Sequence, residues 1–145
     1  MKQRLISLVV LLLAMGYVQA QNWQTDFELA KAQATKESKP IVMVFQGSDW
    51  CASCIKLDRE VWSTDEFKAF ANNHFVMLKV DFPRKKNNAL SSDQGQKNKL
   101  LAEKYNQNGF FPLVVILDNS GTVKGQTGYK QMAVGDYIQH LMSFK

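Results

Sequence analysis

The sequence predicts a single α/β domain, and three observations predict it. Segments with helical and strand periodicity succeed one another along the chain in the order α-β-α-α-β-α-β-β-α. Two apolar runs, Ile41-Val42-Met43-Val44-Phe45 and Leu113-Val114-Val115-Ile116-Leu117, show no polar alternation and suit strands covered on both faces. The only two cysteines stand two residues apart in Trp50-Cys51-Ala52-Ser53-Cys54, where the first of those strands hands over to a helix.

The elements follow from local chemistry. Thr25-Asp26-Phe27-Glu28 has the pattern of a capping box, and Phe27, Ala30 and Ala34 recur at helical spacing. A helix is expected over about 26–37. Ser38-Lys39-Pro40 ends it, because the residue before proline is pushed out of the helical region. A strand is expected at 41–46, then a turn, Gln46-Gly47-Ser48-Asp49, then a helix from about 52 to 61. Cys54, Leu57, Asp58 and Val61 fall at i, i+3, i+4 and i+7 on that helix. Ser63-Thr64-Asp65-Glu66 reads as a second capping box, starting a helix near Thr64 that ends near Asn72, with Phe67 and Phe70 facing the core.

Phe75–Asp81 is the next expected strand. Residues 83–92, with Arg84-Lys85-Lys86 near their start, form the least ordered part. A helix over about 93–107 carries Leu100, Leu101 and Tyr105 as its apolar stripe, with Asn108-Gly109 suited to its C-terminal cap. Leu113–Leu117 is the candidate central strand. Asp118-Asn119-Ser120-Gly121 is a hairpin turn into a polar strand, about 122–127. Val134, Tyr137, Ile138, Leu141 and Met142 then describe an amphipathic last helix.

Composition narrows the class. With 46% hydrophobic and 21% charged residues, a chain of 145 supports one domain with a substantial core. Residues 1–20 read as a signal peptide. Lys2 and Arg4 supply the charged start, 5–15 the apolar stretch and Val18-Gln19-Ala20 a small-residue cleavage site. The apolar stretch is short for a membrane span. Cleavage would leave 21–145 and lower the formal net charge from +5 to +3 by removing Lys2 and Arg4. So mild a charge does not suggest nucleic acid.

The cysteine pair carries the chemistry. A helix N-terminus presents unpaired N–H groups and a partial positive charge, both of which favour an anion. Cys51 is therefore expected to be the more exposed thiol, to have a lowered pKa and to act as nucleophile, with Cys54 one turn on as the resolving thiol. Three other uses of two cysteines compete with this one. A structural disulfide is possible in an exported chain, although so short a ring restrains little chain entropy. Structural zinc needs four ligands at tight spacing, and the two histidines, His74 and His140, lie far from the pair. Haem attachment needs His after the second cysteine, where Ile55 stands.

Ser48-Asp49-Trp50-Cys51-Ala52-Ser53-Cys54-Ile55-Lys56-Leu57, with Glu60-Val61-Trp62-Ser63 after it, resembles the thioredoxin superfamily. The pattern is most similar to bacterial envelope thioredoxin-like proteins and to the C-terminal thioredoxin domain of membrane thiol–disulfide interchange proteins. The resemblance covers nearly all of the chain after about residue 25. It implies the thioredoxin fold, a central mixed sheet flanked by helices, here with an extra N-terminal helix. It also implies a cis Phe111–Pro112 bond before a central strand and beside the dithiol, with Phe111 offering its backbone to an extended substrate. Trp50 would shield the thiolate and contact substrate.

Two departures stand out. The buried aspartate that many thioredoxins keep six residues before the nucleophile is Phe45 here, with Gln46 next. Deprotonation of Cys54 would then fall to water, Lys56 or Asp49. Residues 83–92 also form a longer loop than in minimal thioredoxins.

The expectation is an exported thiol–disulfide oxidoreductase, periplasmic or secreted, that reduces substrate disulfides through Cys51 and Cys54, with Trp50, Phe111 and Pro112 binding substrate. Its partners would be protein thiols and disulfides, and a separate redox protein as electron donor. No metal, nucleotide or other cofactor is implied, nor nucleic acid, nor a membrane span after signal cleavage, and the protein would be a monomer. The alternative is a thioredoxin-fold binding module with an inert disulfide.

Overall fold

The computed structural model describes residues 21–145; the expected signal peptide, residues 1–20, lies outside them. The elements are β1 (Trp23–Gln24), α1 (Phe27–Glu37), β2 (Ile41–Gln46), α2 (Ala52–Leu57), α3 (Asp65–His74), β3 (Val76–Asp81), α4 (Ser92–Tyr105), β4 (Leu113–Leu117), β5 (Val123–Thr127) and α5 (Val134–Met142). A π-helical turn, Asp58–Trp62, continues α2, and a 3-10 turn, Lys86–Asn88, interrupts the long loop.

The strands form one mixed sheet in the order β1-β3-β2-β4-β5. The pairs β1–β3 and β3–β2 are parallel; β2–β4 and β4–β5 are antiparallel. The middle position belongs to β2. β4, expected as a central strand, is interior and lies beside it. β2 is buried at every residue, and its alternation divides the core. Val42 and Val44 face one apolar cluster with Leu57, Val61, Trp62, Phe67, Tyr137 and Leu141, the side of α2, α3 and α5. Ile41, Met43 and Phe45 face the other, with Ala30, Ala34, Leu101 and Tyr105 from α1 and α4.

The caps differ from expectation in detail. Asp26, not Thr25, caps α1: its carboxylate accepts from the N–H of Glu28 and Leu29. The helix ends at Ser38, which takes the left-handed conformation at φ 53°. Thr64 caps α3 through its hydroxyl, which accepts from Phe67 N–H. Ser63 does not pair with Glu66 in a capping box; its hydroxyl donates to Asp58.

The stripe of α4 is rotated from expectation. Leu101 and Tyr105 are buried, but Leu100 is 55% exposed and Asn98 is buried in its place. Asn98 holds the end of β3 by donating to Asp81 O at 2.8 Å. Phe70 is half-buried, packed against the core rather than within it.

Strand register builds one end of the sheet into a site. Phe45 lies opposite Val80 on β3 and Leu113 on β4, and Gln46 lies opposite Asp81. The turn after β2, the loop after β3 and the residues before β4 therefore meet at the carboxyl ends of β2 and β3. Among the described residues no helix is long and apolar enough to cross a membrane.

Candidate active site

The Gly47–Cys51 turn is closed by its own backbone, with Cys51 N–H donating to Gly47 O at 2.9 Å. Asp81 fixes it from outside, because its carboxylate accepts from Ser48 N–H at 2.9 Å and Ser48 Oγ at 2.6 Å. Gly47 is buried under the Trp50 ring, and a Cβ there would overlap the indole. Any side chain at 47 would displace Trp50, so the turn needs glycine for close approach.

Cys51 is the N-cap of α2. Its backbone is extended at φ −86° and ψ 105°, and its sulfur accepts from Cys54 N–H at 3.2 Å. One of the N–H groups that open the helix thus points at the sulfur, the geometry that stabilises a thiolate. Cys51 and Cys54 are joined as a disulfide with Cα atoms 5.2 Å apart. Both are buried, Cys51 at 7% exposure and Cys54 at 4%, so the expected order holds by a small margin in the oxidised form.

A cavity of about 170 Å³ behind the disulfide is lined by Gln46, Ser48, Cys54, Ile55, Asp58 and Lys79. Phe45 is fully buried in the apolar core and brings no carboxylate. Neither Lys56 nor Asp49 lines this cavity; the charged groups that share it with Cys54 are Asp58 and Lys79. Among the described residues no cluster of three or more His, Cys, Asp or Glu could hold a metal.

Asp49 does something else. Its carboxylate accepts from Arg84 N–H at 2.9 Å, Lys85 N–H at 3.0 Å and Asn88 Nδ2 at 2.9 Å. These bonds, led by that from Arg84 N–H, lower its pKa to about 2. A depressed carboxyl pKa means that the contacts are complete above the ordinary value near 3.8 and are lost only as pH falls through about 2. Asp49 therefore ties the long loop to the active-site turn across the physiological range.

The expected substrate-binding residues do come together. Trp50 donates from Nε1 to Phe82 O at 2.7 Å. Its ring meets the edge of Phe111 at 5.5 Å between centroids, and Phe111 meets Phe82 at 5.6 Å. The Phe111–Pro112 bond is cis. The approach to it is set by Asn106, a buried side chain that donates to Phe110 O and accepts from Phe110 N–H, both at 2.9 Å. On the far side Tyr137, its hydroxyl pKa raised by burial, donates to Gly128 O at 2.9 Å. Tyr129 donates to Glu60 at 2.5 Å and so links that segment to the end of the active-site helix.

Sequence reasoning missed Asp49 as a loop anchor, Asp81 as the clamp on the turn and Asn106 as the brace before the proline. Each acts on backbone groups, and for Asp49 and Asp81 those groups lie more than thirty positions away, so no local motif announces them.

The comparisons with known proteins agree with this geometry. A sequence family described as thioredoxin-like matches residues 22–119. The disulfide bond reductase DsbH of Chlamydia pneumoniae is 36% identical over 121 residues, covering 83% of this chain and 70% of that protein. The thioredoxin-related protein DsbJ of the same organism is 25% identical over 127 residues, which cover 83% of this chain but 35% of DsbJ, so the chain spans about a third of its length. Among solved structures, a DsbH oxidoreductase superimposes with a TM-score of 0.79 at 32% identity, over 87% of this chain and 85% of that one. The oxidised C-terminal domain of DsbD from Neisseria meningitidis shares the fold, with a TM-score of 0.55 at 18% identity over 81% of this chain and 91% of that one. With a matched segment this long and a relative this similar, and with a cysteine pair at the head of α2 beside a mixed five-stranded sheet, the chain belongs to the thioredoxin-like family.

Proposed function

We propose that this protein is an exported thiol–disulfide oxidoreductase that reduces disulfides in other proteins. The observation that carries the reading is Cys51 as the cap of α2, its sulfur held by the Cys54 N–H. The name of the similar DsbH, disulfide bond reductase, supports the same direction.

In the reduced protein the Cys51 thiolate attacks one sulfur of a substrate disulfide. The other substrate sulfur leaves as a thiolate and takes up a proton, and a mixed disulfide with Cys51 remains. Cys54 loses its proton and attacks Cys51 Sγ, which releases the second substrate thiolate. Two electrons have moved to the substrate, and the protein is left with the Cys51–Cys54 disulfide. A separate redox protein would return them as electron donor. Trp50, Phe111 and Pro112 would line the substrate groove, with the exposed Phe110 at its margin.

Direction is tested by equilibration with glutathione buffers. Ala52 and Ser53 add no charge between the cysteines, so nothing there over-stabilises the thiolate. The expected potential is more negative than about −180 mV, the value of a disulfide isomerase, and the strong oxidants of this fold lie near −120 mV. A less negative value reverses the assigned direction.

The export reading rests on the order of charged, apolar and small residues over 1–20, with 21–145 as the mature domain, a monomer in the periplasm or secreted. Mass spectrometry of the exported protein should find Gln21 at its N-terminus. An intact Met1 would overturn the assignment.

A further inference from the structure

The guanidinium carbon of Arg84 lies over the Trp50 ring, 3.7 Å from its centroid. Trp50 immediately precedes Cys51, so this charge stands beside the turn that carries the reacting sulfur. Arg84, Lys85 and Lys86 are all exposed. Among the described residues none of the three forms an ion pair within salt-bridge distance, whereas Lys31, Lys39, Arg59 and Lys97 do.

Among the described residues the carboxylates nearby form no ion pair with these cations, although Asp49 lies within the field of Lys85. Asp49 accepts from the loop backbone and Asn88, and Asp81 accepts from Ser48 and from the N–H of Phe82. A run of three cations on a long loop is usually a mobile, solvated surface. Here the backbone beneath it is fastened to the active-site turn, and the first side chain is laid on an aromatic face. Stacking on an aromatic face uses the guanidinium's π surface and leaves its N–H donors free for a further partner. Carboxylates meet such a fork with two parallel hydrogen bonds.

We propose that the Arg84-Lys85-Lys86 rim selects substrate polypeptides that carry an aspartate or glutamate within a few residues of the disulfide cysteine. The proposal rests on the oxidoreductase reading and names its substrate class. The reach is short, because an extended chain advances about 3.3–3.6 Å per residue. A substrate cysteine at Cys51 therefore puts its near neighbours over Trp50 and Arg84. An acidic residue there gains the guanidinium and the field of two lysines. A basic one meets three like charges.

The test uses the reduced full-length mature protein and three disulfide-linked peptides that differ only in flanking Asp, Ser or Lys. Each second-order rate is divided by that of dithiothreitol with the same peptide. At low ionic strength the Asp peptide is expected to react about fivefold faster than the Lys peptide, the range of a few exposed charge contacts. The preference should shrink to within about twofold in 0.5 M salt, where the Debye length is only a few ångströms. Arg84→Ala should also reduce it to about twofold, and Arg84→Glu should invert it. Lys124→Glu, the same charge reversal near the opposite end of the sheet, serves as control and should leave it intact. An unchanged preference in Arg84→Glu, or an equal change in Lys124→Glu, overturns the proposal. If wild-type protein reduces none of the three peptides, the oxidoreductase reading itself has failed, a different result from reduction without preference.

Discussion

Cys51→Ser should lower insulin reduction to the background of the added dithiol, a loss of at least about a thousandfold. The reason is chemical. The thiolate is the nucleophile in disulfide exchange, and a serine hydroxyl does not ionise near neutral pH. No other sulfur can substitute, because the chain has only two cysteines. Cys54→Ser should behave differently. Its Cys51 still caps α2 and still attacks, but no second thiol is present to resolve the product. A stoichiometric mixed disulfide with substrate should accumulate and be visible by mass after acid quench. The pair of variants therefore assigns order as well as need. An adduct trapped by Cys51→Ser and none by Cys54→Ser would exchange the two roles. If wild-type protein reduced nothing and bound its partners equally well with either cysteine replaced, the disulfide would be inert and the fold a binding module.

The place of Cys51 at the head of α2 was legible in the sequence because its causes are local. An apolar strand, a turn containing glycine and a helical repeat within twenty residues place Cys51 at a helix start, where backbone N–H groups need a partner. The two apolar runs were legible as strands for a similar reason, since burial on both faces removes alternation. The cis Phe111–Pro112 bond was legible only through family resemblance. Nothing in the residues themselves distinguishes it from an ordinary trans bond.

What stayed hidden depends on distant partners. β1 has two residues, too few to show a period, and exists because it pairs with β3. Asp26 competes with Thr25 for one cap, and the choice is joined to a contact with Lys97, 71 positions away. On α4 the apolar side chain of Leu100 suggested a buried stripe, but the buried positions are Asn98, Leu101 and Tyr105 at i, i+3 and i+7. The asparagine is inward because Asp81 O needs a donor there. Asp49 reads as a turn residue until the loop it anchors is seen lying against it.

The largest expected stability effect is at Trp62, which closes the π-helical turn after α2 and is 2% exposed. Its ring meets Phe67 at 4.8 Å, Tyr137 at 5.6 Å and Trp23 at 6.0 Å, each edge to face. One side chain thus joins α3, α5 and β1 to the active-site helix. Trp62→Ala removes the transfer energy of a large ring and leaves a cavity that rigid neighbours cannot fill, a cost of about 3–5 kcal/mol. Edge-to-face pairs each add roughly 0.5–1.5 kcal/mol beyond area, so the upper part of that range is expected. Urea unfolding of the oxidised protein should show the loss as a lower midpoint with an unchanged slope. Trp23→Ala supplies the comparison. Trp23 is only half-buried and contacts the same ring from the sheet edge, so its cost should be clearly smaller. A loss below about 1 kcal/mol for Trp62→Ala would mean that the helix bearing the cysteines is not held by this aromatic cluster. The backbone turn and the Tyr129–Glu60 hydrogen bond would then have to hold the far end of that helix.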